Sequence, residues 1–296
     1  MKIDYVVPYV DGSDSDWLDV FIKYKKEANQ PFDENELKKR YSENRLFKYH
    51  FRSIEKFMPW IGTIHLLVMQ DSQIPKWINR GAVHVVRHDE FIPQEFLPTF
   101  NSGVIECFLH RIPGLAPCFV YANDDMYLFG ETKPSDFFDG CMPLVRCAFG
   151  VRDGSSQYDD MCAGMTEFMY RRLGLQYEPN TFLRSKHGHR AFNTGIYKRI
   201  YEDFKNYIDG SCTRFRSGTN VTESFFAVYY YLSTGCRYKG KFSTKYLSFD
   251  NKMNLVQFFK NGCSAQSICL NNNDGDDTLV LACMDKKFPD KSKYER

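Results

Sequence analysis

The sequence predicts an α/β protein: a mostly parallel central sheet with flanking helices, followed by a helical C-terminal part. Three observations carry this. Apolar runs of strand length alternate with helix-length segments between Phe51 and Asp125. The spacing strand, helix, strand there suits parallel strands joined by crossover helices. After about Gly130 the rhythm changes, and longer helical stretches dominate.

Taken in order, KIDYVVPYV reads as a strand, and Asp11-Gly12-Ser13-Asp14 as the turn that ends it. Residues 15–50 are rich in Lys, Glu and Asp and read as helix with a solvated loop. RSIEKFMPWI reads as a short helix, IGTIHLLVMQ as a strand, SQIPKWI as a turn with a short helix, and AVHVVRH as a strand. NSGVIECFLHRI is helical, with Val104, Ile105, Phe108 and Ile112 on one face. CFVYANDD closes the series as a strand, and the whole resembles a nucleotide-binding half.

Beyond it, MTEFMYRRLGL, residues 191–209 and residues 219–234 read as helices. YLSF, SICLN and TLVLACM are strand-like, and the charged end FPDKSKYER reads as frayed. The expected organisation is one elaborated domain over 1–296. Residues 1–149 form its nucleotide- and metal-binding half, and 150–296 a mainly helical half that completes the site.

Composition removes several function classes. The chain has 296 residues, 43% of them hydrophobic, with a net charge of +2, which argues against a general nucleic-acid binder. No segment approaches the roughly 18 apolar residues that a membrane span needs. Asp4 and Pro8 interrupt the N-terminal apolar run, so it is no signal peptide. Ten cysteines without a CxxC pair read as reduced, mostly buried thiols of a cytoplasmic protein. In that compartment Asn220-Val221-Thr222 carries no meaning as a glycosylation sequon. No GxGxxG follows the first strand, and neither GxxxxGK[ST] nor GxSxG occurs.

The adjacent carboxylates Asp124 and Asp125 follow the apolar run FVYA, so they fall at the carboxyl end of a strand, where open α/β sheets bind ligands. They suit a hard divalent cation, Mg²⁺ or Mn²⁺, or one can act as a base. A capped turn explains the dipeptide alone equally well. Glu106 and His110, four apart, should share a helix face. Asp11, Gly12 and Asp14 form a second polar turn at a strand end, suited to a base or ribose. Lys186-His187-Gly188-His189-Arg190 and Arg214-Phe215-Arg216 add cations and imidazoles that suit phosphate. No Cys pair or HExxH accompanies His187 and His189, so zinc is disfavoured.

Together these segments resemble the Stealth proteins, bacterial capsular polysaccharide (hexose-1-phosphate) phosphotransferases related to the animal lysosomal-enzyme GlcNAc-1-phosphotransferase. IDYVVPYVDGSDSDW matches a first block. RSIEK, PWI, QIPKW, LPTFNS, IE, HRIPGL and NDD match a long second block in order. AGMTEF to HGHRAFNTGIYKRI resembles a third, and ICLNNND a fourth. The chain departs at Tyr9, where the family usually has Trp, and at Arg45-Leu46-Phe47-Lys48-Tyr49, in place of Gly-Glu-Leu-Arg-Tyr. It departs again at His187-Gly188-His189, in place of His-x-Pro, and at Asn272, in place of Asp.

The resemblance implies a nucleotide-sugar-transferase-like fold. It also implies transfer of a sugar 1-phosphate, from a nucleotide sugar that is UDP-linked in the best-known relatives, to a hydroxyl of a glycan or lipid-linked acceptor. The nucleoside monophosphate is then released. The alternative is an ordinary metal-dependent glycosyltransferase that releases a nucleoside diphosphate. On this reading Asp125 and Asp124 hold Mg²⁺ or Mn²⁺, and Arg216 or Arg214 clamps phosphate. His187 is the base, and Glu106 orients it, takes the proton itself or binds the metal. Asn123, Arg52 and the LPTFNS asparagine, Asn101, join Asp11, Gly12 and Asp14 in binding substrate. The protein is expected in the cytoplasm, with possible association at the inner face of the membrane.

Overall fold

The structure, a computed structural model, describes all residues except 35–36, 38–40, 42–44, 155, 237, 239, 241, 250, 262–264 and 272–276. Strand β1 (Ile3–Pro8) is buried along its length, as expected of a strand covered on both faces. It lies between two parallel neighbours, β2 (Ile64–Val68) and β4 (Cys118–Tyr121), and β3 (His84–Arg87) extends the sheet beyond β2. Helices α1 (Ser15–Glu27) and α2 (Phe47–Phe57) fall between β1 and β2 in the chain, and α3 (Ser102–Cys107) between β3 and β4. The parallel sheet expected from the apolar runs is therefore present.

Asp4 is fully buried in the middle of β1. His65 Nε2 lies 3.1 Å from its carboxylate, and the N–H groups of Thr63 and Ala116 donate to it at 2.9 and 3.0 Å. Those bonds outweigh burial and hold the group down at about 2.

A fifth strand, β8 (Arg190–Asn193), joins the edge of the sheet beside β4 and runs antiparallel to it. Residues 191–209 are thus not one helix. They give this strand, then α5 (Thr194–Asp203) and α6 (Lys205–Ser211). Pairing with β4 buries Ala191 and Phe192, and tertiary burial overrides local propensity there.

Before β8, β6 (Cys147–Val151) and β7 (Thr181–Ser185) form a hairpin-like ladder flanking α4 (Gln157–Arg172). Helix α7 (Glu223–Thr234) packs Phe225 and Phe226 inward, with the Phe226 ring 3.7 Å from that of Tyr197. β9 (Thr244–Ser248), β10 (Ser267–Asn271) and β5 (Met126–Leu128) make a second, three-stranded sheet. Helix α8 (Lys252–Asn261) links β9 to β10.

Two further expectations fail. TLVLACM lies in a helix, α9 (Thr278–Lys287), that buries Val280 and Met284, four apart. A seven-residue apolar run is ambiguous by periodicity, and here burial of one face decides it. The charged end is not frayed either: Tyr294 and Ser292 are buried, and Glu295 pairs with Arg52. Among the cysteines, Cys118 and Cys141 form a disulfide, so the thiols are not all reduced. Asn220 is buried, and its amide donates to Ser211 O at 2.6 Å and to Thr213 Oγ1 at 2.7 Å, which leaves the sequon no room for a glycan.

Candidate active site

A cavity of about 1330 Å³ opens at the carboxyl end of β4, between the sheet and the second half of the chain. β4 ends at Tyr121, and the turn to β5 carries Asn123, Asp124 and Asp125. Asn123 and Asp125, two apart, both line the cavity. Oδ1 of each is buried without a hydrogen-bond partner. Asp125 Oδ2 accepts from the Cys269 thiol at 3.1 Å and lies 3.8 Å from His187 Nε2. His187 and Cys269 hold the Asp125 carboxyl below its ordinary range although burial pushes the other way.

Asp124 does not line the cavity. Burial and the Asp125 charge push it up to about 7. The two neighbouring carboxylates are thus driven apart, with Asp125 the ionised one.

Glu106 reaches the cavity from α3 but is almost wholly buried. It accepts from Tyr121 OH at 2.9 Å and from the Glu223 N–H at 3.2 Å, and burial beside Glu223 raises it well above the carboxylate range. Glu223, the first residue of α7, stays ionised against Arg190, 3.0 Å away. The α3 helix ends before His110, so Glu106 and His110 do not share a helical face. His110 instead packs on Tyr197 and Tyr201.

Lys186, His187 and Arg190, in the segment that leads into β8, line the cavity. Gly188 has φ +150°, and a Cβ there would lie 2.5 Å from Thr244 Oγ1. That close approach fixes the loop beside β9. His187 Nδ1 sits 3.1 Å from Arg190 Nη2. Because a guanidinium only donates, Nδ1 must accept, and the neutral ring carries its proton on Nε2. In this arrangement His187, expected as a base, presents a donor toward Asp125.

Arg216 lines the cavity and donates to Ser102 Oγ at 2.5 Å. Arg146, Arg184 and Lys186 complete its basic wall. Arg146 is buried against the Phe242 ring, 4.2 Å away, and donates to His189 O.

The structure therefore brings together Ser102, Glu106, Asn123, Asp125, His187 and Arg216, and it separates others from them. Arg52 is committed to Glu295 and to Phe288 O. Asn101 caps α3 through Gly103 N and donates to Thr213 O. Arg214 donates to Leu97 O and Pro98 O and stacks on Tyr24. Asp11 and Asp14 spend their carboxylates on the turn: Asp11 takes Ser13 N, and Asp14 caps α1 through Trp17 N. Gly12 packs so closely on Tyr41 that a Cβ would meet its carbonyl at 2.5 Å. None of these three lines the cavity. Asn272 lies outside the described residues.

Glu223, Cys269, Arg146 and Arg184 were not singled out from the sequence. Only Glu223 carried a signal, as the one carboxylate in an otherwise apolar and aromatic helix.

The donor set can be tested against a metal. Donor atoms of Asp125, His187 and Cys269 lie within 4.8 Å of one another. Yet burial and Asp125 push the Cys269 thiol up, and the Arg190 contact puts a proton on His187 Nε2, so neither a thiolate nor a bare Nε2 stands ready as a ligand. The unpartnered oxygens of Asn123 and Asp125 fit a hard oxygen-seeking cation better.

The conserved region 2 of the Stealth proteins (Stealth protein CR2) matches residues 40–143. Receptor polysaccharide phosphotransferase WefC of Streptococcus gordonii is 31% identical over an alignment that spans 99% of this chain and 99% of that one. The chain belongs to the Stealth family. The chain is also similar to the capsular polysaccharide phosphotransferase CpsJ of Streptococcus thermophilus and the exopolysaccharide phosphotransferase cps2G of Lactiplantibacillus plantarum. CpsJ is 34% identical over 63% of this chain and 80% of its own. The cps2G protein is 42% identical over 46% of this chain and 39% of its own. The apo form of mouse xyloside xylosyltransferase 1 superposes with a TM-score of 0.41 at 10% identity, covering 91% of this chain and 97% of that one, a distance that carries no argument about fold or chemistry. Asn123, Asp124 and Asp125 fall inside the matched Stealth region, and so does Glu106.

Proposed function

We propose that this Stealth protein transfers a sugar 1-phosphate from a nucleotide sugar, UDP-linked in our reading, to a hydroxyl of an acceptor glycan in capsule or surface polysaccharide synthesis. The observation that carries it is the cavity itself: the half-buried, ionised carboxylate of Asp125 shares the lining with four cationic side chains, those of Arg146, Arg184, Lys186 and Arg216. A diphosphate needs that wall, and a hydroxyl needs that carboxylate.

The chemistry balances as follows. The acceptor oxygen bonds to the sugar-side phosphorus as the bond from that phosphorus to the bridging oxygen breaks. The nucleoside monophosphate leaves with the bridging oxygen, and the hydroxyl proton passes to Asp125 Oδ2, which leaves Oδ1 for a cation. Of the described carboxylates lining the cavity, Glu106 and Glu223 are too deeply buried and too fully engaged to take it. Little covalent work is required of the protein, because phosphoryl transfer is governed by positioning and charge. Arg216, steadied by Ser102, holds phosphate oxygens in a two-point grip. Mg²⁺ or Mn²⁺ would be held by Asp125 and Asn123, and when bound it supplies further positive charge to the phosphates. Asp124 supports that turn in place of joining the ligand set.

No described helix is long and apolar enough to cross a membrane. A lipid-linked acceptor would be met at the cytoplasmic face, where we place the protein. The test is incubation with a panel of nucleotide sugars, Mg²⁺ and acceptor glycan. Release of nucleoside monophosphate with a phosphodiester product supports the proposal. Release of nucleoside diphosphate with a glycoside would overturn it in favour of an ordinary glycosyltransferase.

A further inference from the structure

Arg190, the first residue of β8, is 7% exposed. Its Nη1 lies 3.0 Å from Glu223 Oε1, its Nη2 3.1 Å from His187 Nδ1, and its Nε donates to Lys186 O at 3.4 Å. Behind it, Glu223 also accepts from Ser185 Oγ at 3.1 Å, and its N–H donates to Glu106 Oε2 at 3.2 Å. Glu106 is in turn fixed by Tyr121 OH. Glu106, Glu223 and Arg190 are all buried, so water cannot replace a lost partner.

The contact with His187 has a definite consequence. An imidazole protonated on both nitrogens would set N–H against N–H at Arg190. A neutral ring protonated on Nδ1 would do the same. Only the Nε2–H tautomer fits.

We propose that Arg190, locked in place by Glu223, is a positioning residue that sets the tautomer of His187, so that the cavity receives an Nε2–H donor beside Asp125. The catalytic part of the proposal rests on the reading of this cavity as a transferase site, and the tautomer itself does not. Arg190 acts through His187, whereas Arg216 meets phosphate directly. The same logic orients metal-ligating and catalytic histidines elsewhere, where the partner of one ring nitrogen decides what the other can do.

Ring-nitrogen NMR of the ¹⁵N-labelled protein tests the tautomer without substrate, with His187 assigned through His187→Gln. A protonated Nε2 and a bare Nδ1 are expected. A protonated Nδ1 would overturn the proposal. Arg190→Met combined with Glu223→Gln removes the guanidinium and its buried counter-charge together, so that no ion is left unpaired. In that variant mixed tautomers are expected, with kcat reduced about tenfold or more and donor KM within about threefold of wild type. Arg190→Lys keeps a donor and should recover the single tautomer and most of kcat. A single tautomer surviving in the double variant, or a loss confined to KM, would sink the idea and make Arg190 a phosphate ligand. If no nucleotide sugar yields nucleoside monophosphate with wild-type protein, the transferase reading fails while the NMR result still stands.

Discussion

Arg52 and Glu295 meet through two parallel hydrogen bonds, Nε to Oε1 at 2.8 Å and Nη2 to Oε2 at 2.7 Å. Both side chains are buried, and Arg52 Nη1 also donates to Phe288 O at 2.8 Å. The pair ties α2 to the C-terminal segment, which adds a bond from Arg296 N to Trp77 O.

Breaking that pair from one side leaves a buried charge alone. Glu295→Ala should cost about 3–5 kcal/mol in urea unfolding. Arg52→Met with Glu295→Met should recover most of the loss, since no charge is then stranded. Equal losses in the single and double variants would show that packing, not the ion pair, holds the segment.

Buried histidines make stability depend on acid. His50, His88 and His110 are each pushed down to about 4, in each case chiefly by burial. The unfolded chain binds their protons near pH 6.5 and the folded chain only near 4. Stability is therefore fully present above pH 6.5 and falls as pH drops toward 4, by about 1.4 kcal/mol per pH unit for each such histidine. Neither ring nitrogen of His88 has a partner. His88→Phe should flatten the melting temperature between pH 6.5 and 4.5, and an unchanged slope would contradict the assignment.

Gly188 tests the loop. A Cβ there would strike Thr244, and φ +150° strains any L side chain. Gly188→Ala should lower kcat at least about tenfold while the fold persists. Adding Thr244→Ala removes the collision but not the strain, so it should restore activity only in part. Full activity in Gly188→Ala would show that the loop's position does not matter to turnover.

The paired oxygens of Asn123 and Asp125 predict a linkage between cation and stability. Mg²⁺ or Mn²⁺ should raise the wild-type melting temperature, and Asp125→Asn should abolish that rise. The same variant should lose turnover by about 10²-fold or more. Retention of the metal-induced rise in Asp125→Asn would place the cation elsewhere.

The parallel core was legible because β1, β2 and β4 are short apolar runs bounded by turns, and such runs need no knowledge of their partners. The place of Asp125 beyond the end of β4 was legible for the same reason, since a strand end is a local feature. Arg52, Asn101 and Arg214 were misread because arginine and asparagine cap, clamp and bind with the same atoms. Only the fold shows that Glu295, Gly103 and Leu97 had already claimed them. Glu223 and Cys269 reach the site from 98 and 144 residues beyond Asp125, a distance over which periodicity carries no information.

The reversed edge strand also explains how so much of the site comes from late in the chain. β8 pairs with β4 in the register Arg190 to Tyr121 and Asn193 to Cys118. Its first residue therefore lies at the rim where the parallel strands end. A parallel strand in the same slot would have delivered Arg190 and the loop before it to the opposite rim, far from Asp125. Direction of travel thus works as an address, and a slip of one residue would deliver Ala191 where Arg190 belongs. Swapping the loop ahead of β8 between relatives should transplant chemistry with little cost to folding, whereas inserting a residue inside β8 should abolish it.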